Sequence, residues 1–403
     1  MNILIYEWKN FGIEDLKDAL QNMGHRYTVV TTDLIYERVS KEFDDMFDTA
    51  VEKDHFDAVF TFNYSAVISN CCNRHNIPYI GFVYDSPLVA LYSYTIINPC
   101  NYIFIFDKEL YNSFAKEGIT TVYYCPLVAN TKRLSKMIKE DAPITDLPQS
   151  LLSGNVIRPS EYYKGDISFV GSMYNEKHNL FEKLSGMSDF YKGYLDGIMA
   201  SQLKVYGYNF IEDMINGPLL EELQRVAPLS PNKDGVETVQ YMYAQYFIAR
   251  KMANMERTSI LSRLSDNFSV NVYTPNATPE LPKIHNRGPV DYYNHMPYIF
   301  NHSKINLNIT LRSIKSGIPL RGIDIMGAGG FLMSNFQADF YDYFTPGDDC
   351  VLFESEDDLV KKCSYYLSHD NERRQIALNG FKKVNEYHTY EKRLGEIFEL
   401  IFN

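Results

Sequence analysis

A single tryptophan stands against 32 tyrosines in this 403-residue chain, and several patterns that would narrow its chemistry are missing altogether. No two cysteines are spaced C-x-x-C, and the six present (Cys71, Cys72, Cys100, Cys125, Cys350 and Cys363) show no zinc-like spacing. That argues against a zinc site or a disulfide scaffold and for buried free thiols in a reducing compartment. Nine scattered histidines form no H-E-x-x-H motif, so no metal is expected. No stretch approaches the roughly 20 apolar residues that span a bilayer, and residues 1–10 lack a basic segment followed by an apolar one. A cytoplasmic protein without a transmembrane segment is the expectation. Positive charge is also short: 39 Lys+Arg against 51 Asp+Glu give a formal net charge of -12. Such a chain has no overall field for gathering nucleic acid, which is not expected as a partner, and any polyanion it binds must meet a local basic patch.

What is there is a globular composition, 45% hydrophobic and 22% charged, enough to bury a core. The first 125 residues alternate short apolar runs with segments whose apolar residues recur three and four apart, such as Ile13, Leu16, Leu20 and Met23. Strands are expected at 3–6, 27–30, 58–62, 79–83, 102–106 and 121–124. This alternation implies βαβ units and a parallel sheet covered on both faces, a Rossmann-like domain over 1–140. Residues 141–165, with Pro143, Pro148, Gly154 and Pro159, read as a linker. A second Rossmann-like domain over 166–385 opens with a strand at 167–170. It carries a helical insertion at about 176–265, broken near Gly217-Pro218 and at 228–235. Strands follow at 269–273, 305–309, 331–333 and 351–353, with helices near 291–302, 320–327 and 356–368. Ser355, three residues before Asp358, marks the start of the last of these. An amphipathic helix closes the chain at 386–403. Two such halves leave a central cleft, and open α/β sheets bind ligands at the carboxyl ends of their strands.

The window INLNITLRSIKSGIPLRGIDIMGAGG, 305–330, carries the densest chemistry. A buried strand leads into a polar loop holding Arg312, Lys315, Ser316 and Gly317, then Pro319 where a helix begins, then Arg321 and Asp324. Three cations in ten residues, a glycine that admits close backbone approach and a helix N-terminus suit a diphosphate. Arg321 offers two parallel donors to phosphate, and Asp324 is a carboxylate that can accept both hydroxyls of a ribose. The alternative is an ordinary i,i+3 helix pair between them. The run Gly327 to Gly330 follows a helix and precedes a strand, the reverse of a dinucleotide fingerprint, and is read as helix termination. In the first half Asp85 follows the run 79–83 and precedes Pro87, at a carboxyl end of the sheet. It is a candidate base for an acceptor hydroxyl, or else a loop-capping carboxylate.

The blocks DISFVGSMYNEKHNLF, SKINLNIT, SGIPLRGIDIMGAGGFL and YYLSHDNERRQIALNGFKKVNEYHTYEKR together resemble the CgeB-like glycosyltransferases, a bacterial family first named for spore maturation. In the first half only GFVYDSP contributes. The resemblance implies a GT-B architecture, α/β with two Rossmann-like domains facing a central cleft. The C-terminal domain would hold a nucleotide-sugar donor, the N-terminal one a glycan or protein acceptor, and the last helix would cross back. It further implies Arg321 at the diphosphate, with Arg312 or Lys315 assisting, Asp324 at the ribose, and Gly171 and Ser172 near the donor phosphates. Related GT-B enzymes carry a Glu-x7-Glu pair; with Asp324 in its second position the first falls on Ser316, a departure from that pattern. The other glycosyltransferase architecture holds a metal through Asp-x-Asp, and no two aspartates here are separated by one residue. A metal-independent hexosyl transfer is thus expected, with the nucleotide sugar as co-substrate and no cofactor. Its rivals are a nucleotide-sugar epimerase of the same architecture and a non-catalytic sugar-nucleotide or glycan-binding protein, whose helical insertion would be an oligomer or partner surface.

Overall fold

The computed structural model describes residues 1–8, 11–145 and 157–402. Two six-stranded parallel sheets organise it. The first, ordered β2-β1-β3-β4-β5-β6, is built from Asn2–Glu7 (β1), Arg26–Thr31 (β2), Ala58–Phe62 (β3), Tyr79–Val83 (β4), Asn101–Ile105 (β5) and Val122–Tyr124 (β6). The second, ordered β12-β11-β10-β7-β8-β9, comprises Gly165–Val170 (β7), Val270–Tyr273 (β8), His285–Asn286 (β9), Ser303–Asn308 (β10), Leu332–Asn335 (β11) and Val351–Phe353 (β12). The interior strands are apolar on both faces because helices cover both; β3 and β4 are buried at every position. Ser40, Asp107, Asn130 and Ser355 each cap a helix by accepting from the backbone N–H three residues on.

The architecture is the expected one, two Rossmann-like units with helices between the strands. The helical tract is broken near Gly217-Pro218: helix Ile211–Met214 ends, Asn216 is extended, and helix Gly217–Val226 starts with Pro218 in its first turn, where its missing N–H would have had no partner anyway. The two-residue β9 is too short to carry a periodic signal and was not anticipated. The tract itself is several helices, among them Asp189–Gln202 and a run from Val239 to Ser265 with a π-helical turn at Tyr243–Ile248. It has its own apolar cluster around Met199, Leu223, Tyr243 and Ile248. Of the segment 141–165, the amide of Ile144 bonds the carbonyl of Ile157 at 2.9 Å and Pro159–Tyr162 forms a helical turn, while 146–156 lie outside the described residues.

Strand order fixes where a ligand can sit. Successive connections diverge between β1 and β3 in one sheet and between β7 and β10 in the other, which opens a crevice at the carboxyl ends of those pairs. Helix Tyr390–Phe402 packs on helix Ile13–Asn22, burying Leu394, Ile397 and Phe398 in one apolar cluster with Leu16 and Leu20. No helix among the described residues is long and apolar enough to cross a membrane. All six cysteines are free thiols, five of them buried.

Candidate active site

β7 ends at Val170, and the chain turns through Gly171 and Ser172 into Tyr174, whose φ of 53° is strained for a non-glycine residue. Two arginines converge on this turn. Arg257, from helix Ala249–Ser265, donates through Nη1 to the carbonyl of Ser172 at 2.5 Å and through Nη2 to that of Ile309 at 2.7 Å, bridging the ends of β7 and β10. Arg321, in helix Leu320–Gly327, donates through Nη1 to the Val170 carbonyl at 2.6 Å. The Nε of each is buried and has no partner among the described residues. Burial pulls both guanidinium pKa values below their ordinary level, and at Arg321 the charge of Arg257 adds to the depression. Their flat faces rest on rings: Arg257 lies 5.3 Å from the centroid of Phe169 and 4.9 Å from that of Tyr174, Arg321 5.6 Å from that of Phe300. Two buried cations held by carbonyls and rings, with no carboxylate in ion-pair contact among the described residues, leave a concentrated positive charge that an anion would neutralise.

Asp324 sits one turn after Arg321 and is 6% exposed. The two do not close into the i,i+3 pair that their spacing allows; Asp324 instead accepts a hydrogen bond from the Tyr292 hydroxyl at 3.1 Å. Burial pushes its carboxyl up to about 7, against the pull of Arg321 and of the Tyr292 bond. Nearby, Arg133 grips Asp15 with two bonds of 2.6 and 3.0 Å, and Tyr293 accepts the Gly12 amide at 2.9 Å. Asp324 therefore lies where the two halves meet.

Across the crevice, Asn63 at the end of β3 takes a φ of 63° and organises the loop after β4. Its side chain accepts from the amides of Tyr84 and Asp85 at 2.9 and 3.1 Å and donates to the Asp85 carboxylate at 2.8 Å. Asp85 is solvent-exposed at the mouth of the cleft, yet surrounding protein desolvates it enough to raise its pKa, opposed by the Asn63 bond and the charge of Arg250. Arg250 lies two turns before Arg257, 5.9 Å from the ring centroid of Tyr174. The Asp85 loop touches the second domain directly, through Ser86 Oγ to the Ser313 carbonyl at 3.3 Å and Ser313 Oγ to the Ser86 carbonyl at 2.7 Å.

The loop after β10 differs from its sequence reading. Arg312 is not available to a diphosphate: it pairs with Glu256 through two bonds of 3.1 and 2.8 Å, donates to the carbonyls of Val205 and Leu203, and stacks 4.3 Å from the centroid of Tyr206. The loop amides do receive an anion, but it is Asp107 of the first domain. Its carboxylate accepts from Lys315 N at 2.6 Å, Ser316 N at 3.2 Å and Ser316 Oγ at 3.0 Å. Ser316 is thus spent on the domain junction, and Lys315 is exposed beside a cavity that Glu109 and Asn209 also line and Arg321 does not. Gly317 serves close approach, though to protein rather than phosphate. A Cβ there would meet the Phe106 ring at 2.8 Å and the Asp107 Cα at 2.9 Å. Gly317→Ala should destabilise the fold by about 1–3 kcal/mol through overpacking of this junction, read as a lower urea midpoint.

Of the residues singled out in the sequence, the fold gathers Gly171, Ser172, Arg321 and Asp324, brings Asp85 to the facing side, and sends Arg312, Lys315, Ser316 and Gly317 elsewhere. Sequence reasoning missed Arg257, Arg250 and Tyr174. The one usable signal was two arginines seven residues apart on one helix face, just ahead of a strand. Among the described residues no three His, Cys, Asp or Glu side chains converge as metal ligands.

A family model described as "Glycosyl transferase-like" matches residues 252–399, a span that contains Arg257, Arg321 and Asp324. No curated protein matches the sequence. Among solved structures, a glycosyltransferase from Rickettsia africae superposes with a TM-score of 0.56 at 10% identity, covering 99% of this chain and 97% of that one. Sucrose-phosphate synthase from Thermosynechococcus elongatus gives 0.55 at 8% identity over 100% and 99% of the two chains. A UDP-forming α,α-trehalose-phosphate synthase from Burkholderia xenovorans gives 0.51 at 12% identity over 99% and 98%. The likeness extends over both halves of the chain and establishes the GT-B fold.

Proposed function

We propose that this chain is a glycosyltransferase that moves a sugar from a nucleoside-diphosphate donor to an acceptor hydroxyl. The observation that carries the reading is the pair of buried arginines with no carboxylate in ion-pair contact among the described residues, at the β7/β10 switch point across the cleft from Asp85. Arg257 and Arg321 would hold the diphosphate and stabilise the charge that develops on it as the glycosidic bond breaks. Asp324 would accept the ribose hydroxyls, and Asp85, oriented by Asn63, would take the proton of the acceptor hydroxyl in an inverting transfer. The glycosyltransferase-like family match over this region supports the assignment. Two fixed guanidinium charges supply the electrostatics that a divalent ion gives other transferases, so turnover is proposed to be metal-independent and to survive chelator.

The test is a donor panel led by UDP-sugars, since one protein of this fold is UDP-forming. Thermal shift identifies the donor, and nucleotide release is then measured with and without glycan acceptors. Acceptor-dependent release is expected; conversion of the donor without an acceptor would replace transfer by epimerisation or hydrolysis. Asp85→Asn should lower kcat about 100-fold and abolish the acidic limb of the pH profile, because a base with a raised pKa is lost. A variant with wild-type rate and pH profile would remove Asp85 from the reaction.

A further inference from the structure

A sizeable cavity lies outside the cleft. About 680 Å³ in volume, it lies at the opposite end of the second sheet, where Gly165 and Ser303 begin β7 and β10. Six residues of strand, roughly 20 Å, separate it from the arginine pair. Five cations line it, Lys139, Lys164, Lys304, Arg373 and Arg374, against one acid, Asp370. In a chain of formal charge -12 that is a marked reversal of sign.

The cations are set by the fold. Arg373 is 7% exposed; its Nη2 bonds Asp370 at 2.7 Å and its Nη1 the Lys304 carbonyl at 3.1 Å, while Lys304 pairs with Asp166 at 2.9 Å. Asp370 is already answered by Arg373 and, at 3.9 Å, by Arg374. Lys139 and Lys164 are exposed and make no ion pair with a described residue. Three polar atoms of the wall, Arg373 Nε, Ser303 Oγ and His302 Nε2, are buried without a hydrogen-bond partner among the described residues, and Ser303 is 5% exposed. A buried donor left unsatisfied costs on the order of 1–3 kcal/mol, so Arg373 Nε and Ser303 Oγ, on residues that line the cavity, would gain from an oxygen acceptor. The rest of the lining includes apolar groups, among them Phe331, Leu378 and Phe381.

We infer that this cavity is a second binding site, for a small phosphate monoester such as a sugar phosphate. The phosphoryl oxygens would accept from Arg373, Ser303 and the lysine rim, and the carbon skeleton would lie against the apolar side. The volume suits a ligand of that size, and the concave shape distinguishes it from a solvated basic face. The site depends on neither the cleft nor the transferase reading. It spans helix Thr131–Glu140, which follows the last strand of the first sheet, and helix Asp370–Tyr387 of the second half, so an occupant would tie the two together.

Isothermal titration calorimetry of the full chain with glucose 6-phosphate and, separately, inorganic phosphate tests this. One glucose 6-phosphate site is expected, with inorganic phosphate weaker by about tenfold or more for want of the apolar contact. The double variant K164E/R374E reverses two exposed charges, should melt as wild type, and should lose at least tenfold in affinity for the ester. Arg257→Ala and Arg321→Ala, each confirmed as folded by melting, should leave that affinity unchanged. Absence of binding, unaltered binding by the double variant, or loss of binding in the cleft variants would overturn the site. Equal affinity for the two probes would overturn its assignment to an ester.

Discussion

Arg321→Ala is expected to cut sugar transfer about 100- to 1,000-fold, the range seen when one preorganised donor to a developing anion is removed, and Arg257→Ala to do the same. The loss should fall on kcat, because the guanidinium charge matters most when the diphosphate leaves. The stability cost at Arg321 should be modest: among the described residues it makes one hydrogen bond, to Val170, and without its charge the buried Asp324 carboxyl shifts further toward its neutral form. Arg257 secures the carbonyls of both Ser172 and Ile309, so its alanine variant should lose an additional 1 kcal/mol or about that amount. Arg321→Lys keeps charge without the planar fork and should recover only part of the rate. Steady-state kinetics beside thermal melts separate these outcomes; wild-type transfer by Arg321→Ala would remove the arginine pair from the mechanism.

Asp324→Asn should make the protein more stable at pH 8 and a poorer binder of nucleotide. Burial holds this carboxyl near 7 in the folded chain, above the ordinary value of 3.8. At pH 8 the folded state must carry a buried charge that the unfolded chain carries in water. That penalty is full above the folded pKa and is relieved as pH falls from 7 toward 4, where the folded state takes up a proton that the unfolded state does not. Asparagine removes the penalty, so the gain should be on the order of 2–4 kcal/mol at pH 8 and shrink toward pH 4. Denaturant melts at both pH values read it directly; a gain independent of pH would show that the carboxyl is not the cause. Nucleoside-diphosphate affinity should fall about tenfold, with little further loss for the 2′-deoxy nucleotide. Unchanged affinity would move the ribose contact elsewhere. A residue that destabilises the empty protein and improves its ligand binding is a sign of a functional site.

The strands were legible because their signal is local. Runs such as YIGFV are apolar throughout, which only a parallel sheet covered on both faces requires, and β3, β4 and β12 begin and end where the pattern places them. Ser355 and the glycines after helix Leu320–Gly327 were readable for the same reason, since caps and terminations act within a few residues. The sequence of the loop from 311 to 318 suits a phosphate, and its amides do meet an anion. Which anion is a question of distant chain: Asp107, two hundred residues earlier in sequence, reaches it only because the sheets face each other. Arg312 has the charge and the spacing of a third phosphate ligand, but Glu256, far from it in sequence, neutralises it.

By itself, then, the order of residues determined two parallel α/β halves, a helix starting at Leu320 with Arg321 and Asp324 on its first turns, and an acidic surface needing a local exception for any anion. These follow from periodicity, capping and charge, which act over a few residues. Tertiary structure alone decided which cations stay uncompensated. Arg257 and Arg321 meet at the turn after β7 with no carboxylate in ion-pair contact among the described residues, and Lys139 and Lys164 line a cavity at the other end of the same sheet without an ion pair to a described residue. Arg312, which carries the same charge, is neutralised. Whether a buried charge is paired depends on neighbours brought from far along the chain, and no spacing in the sequence encodes that.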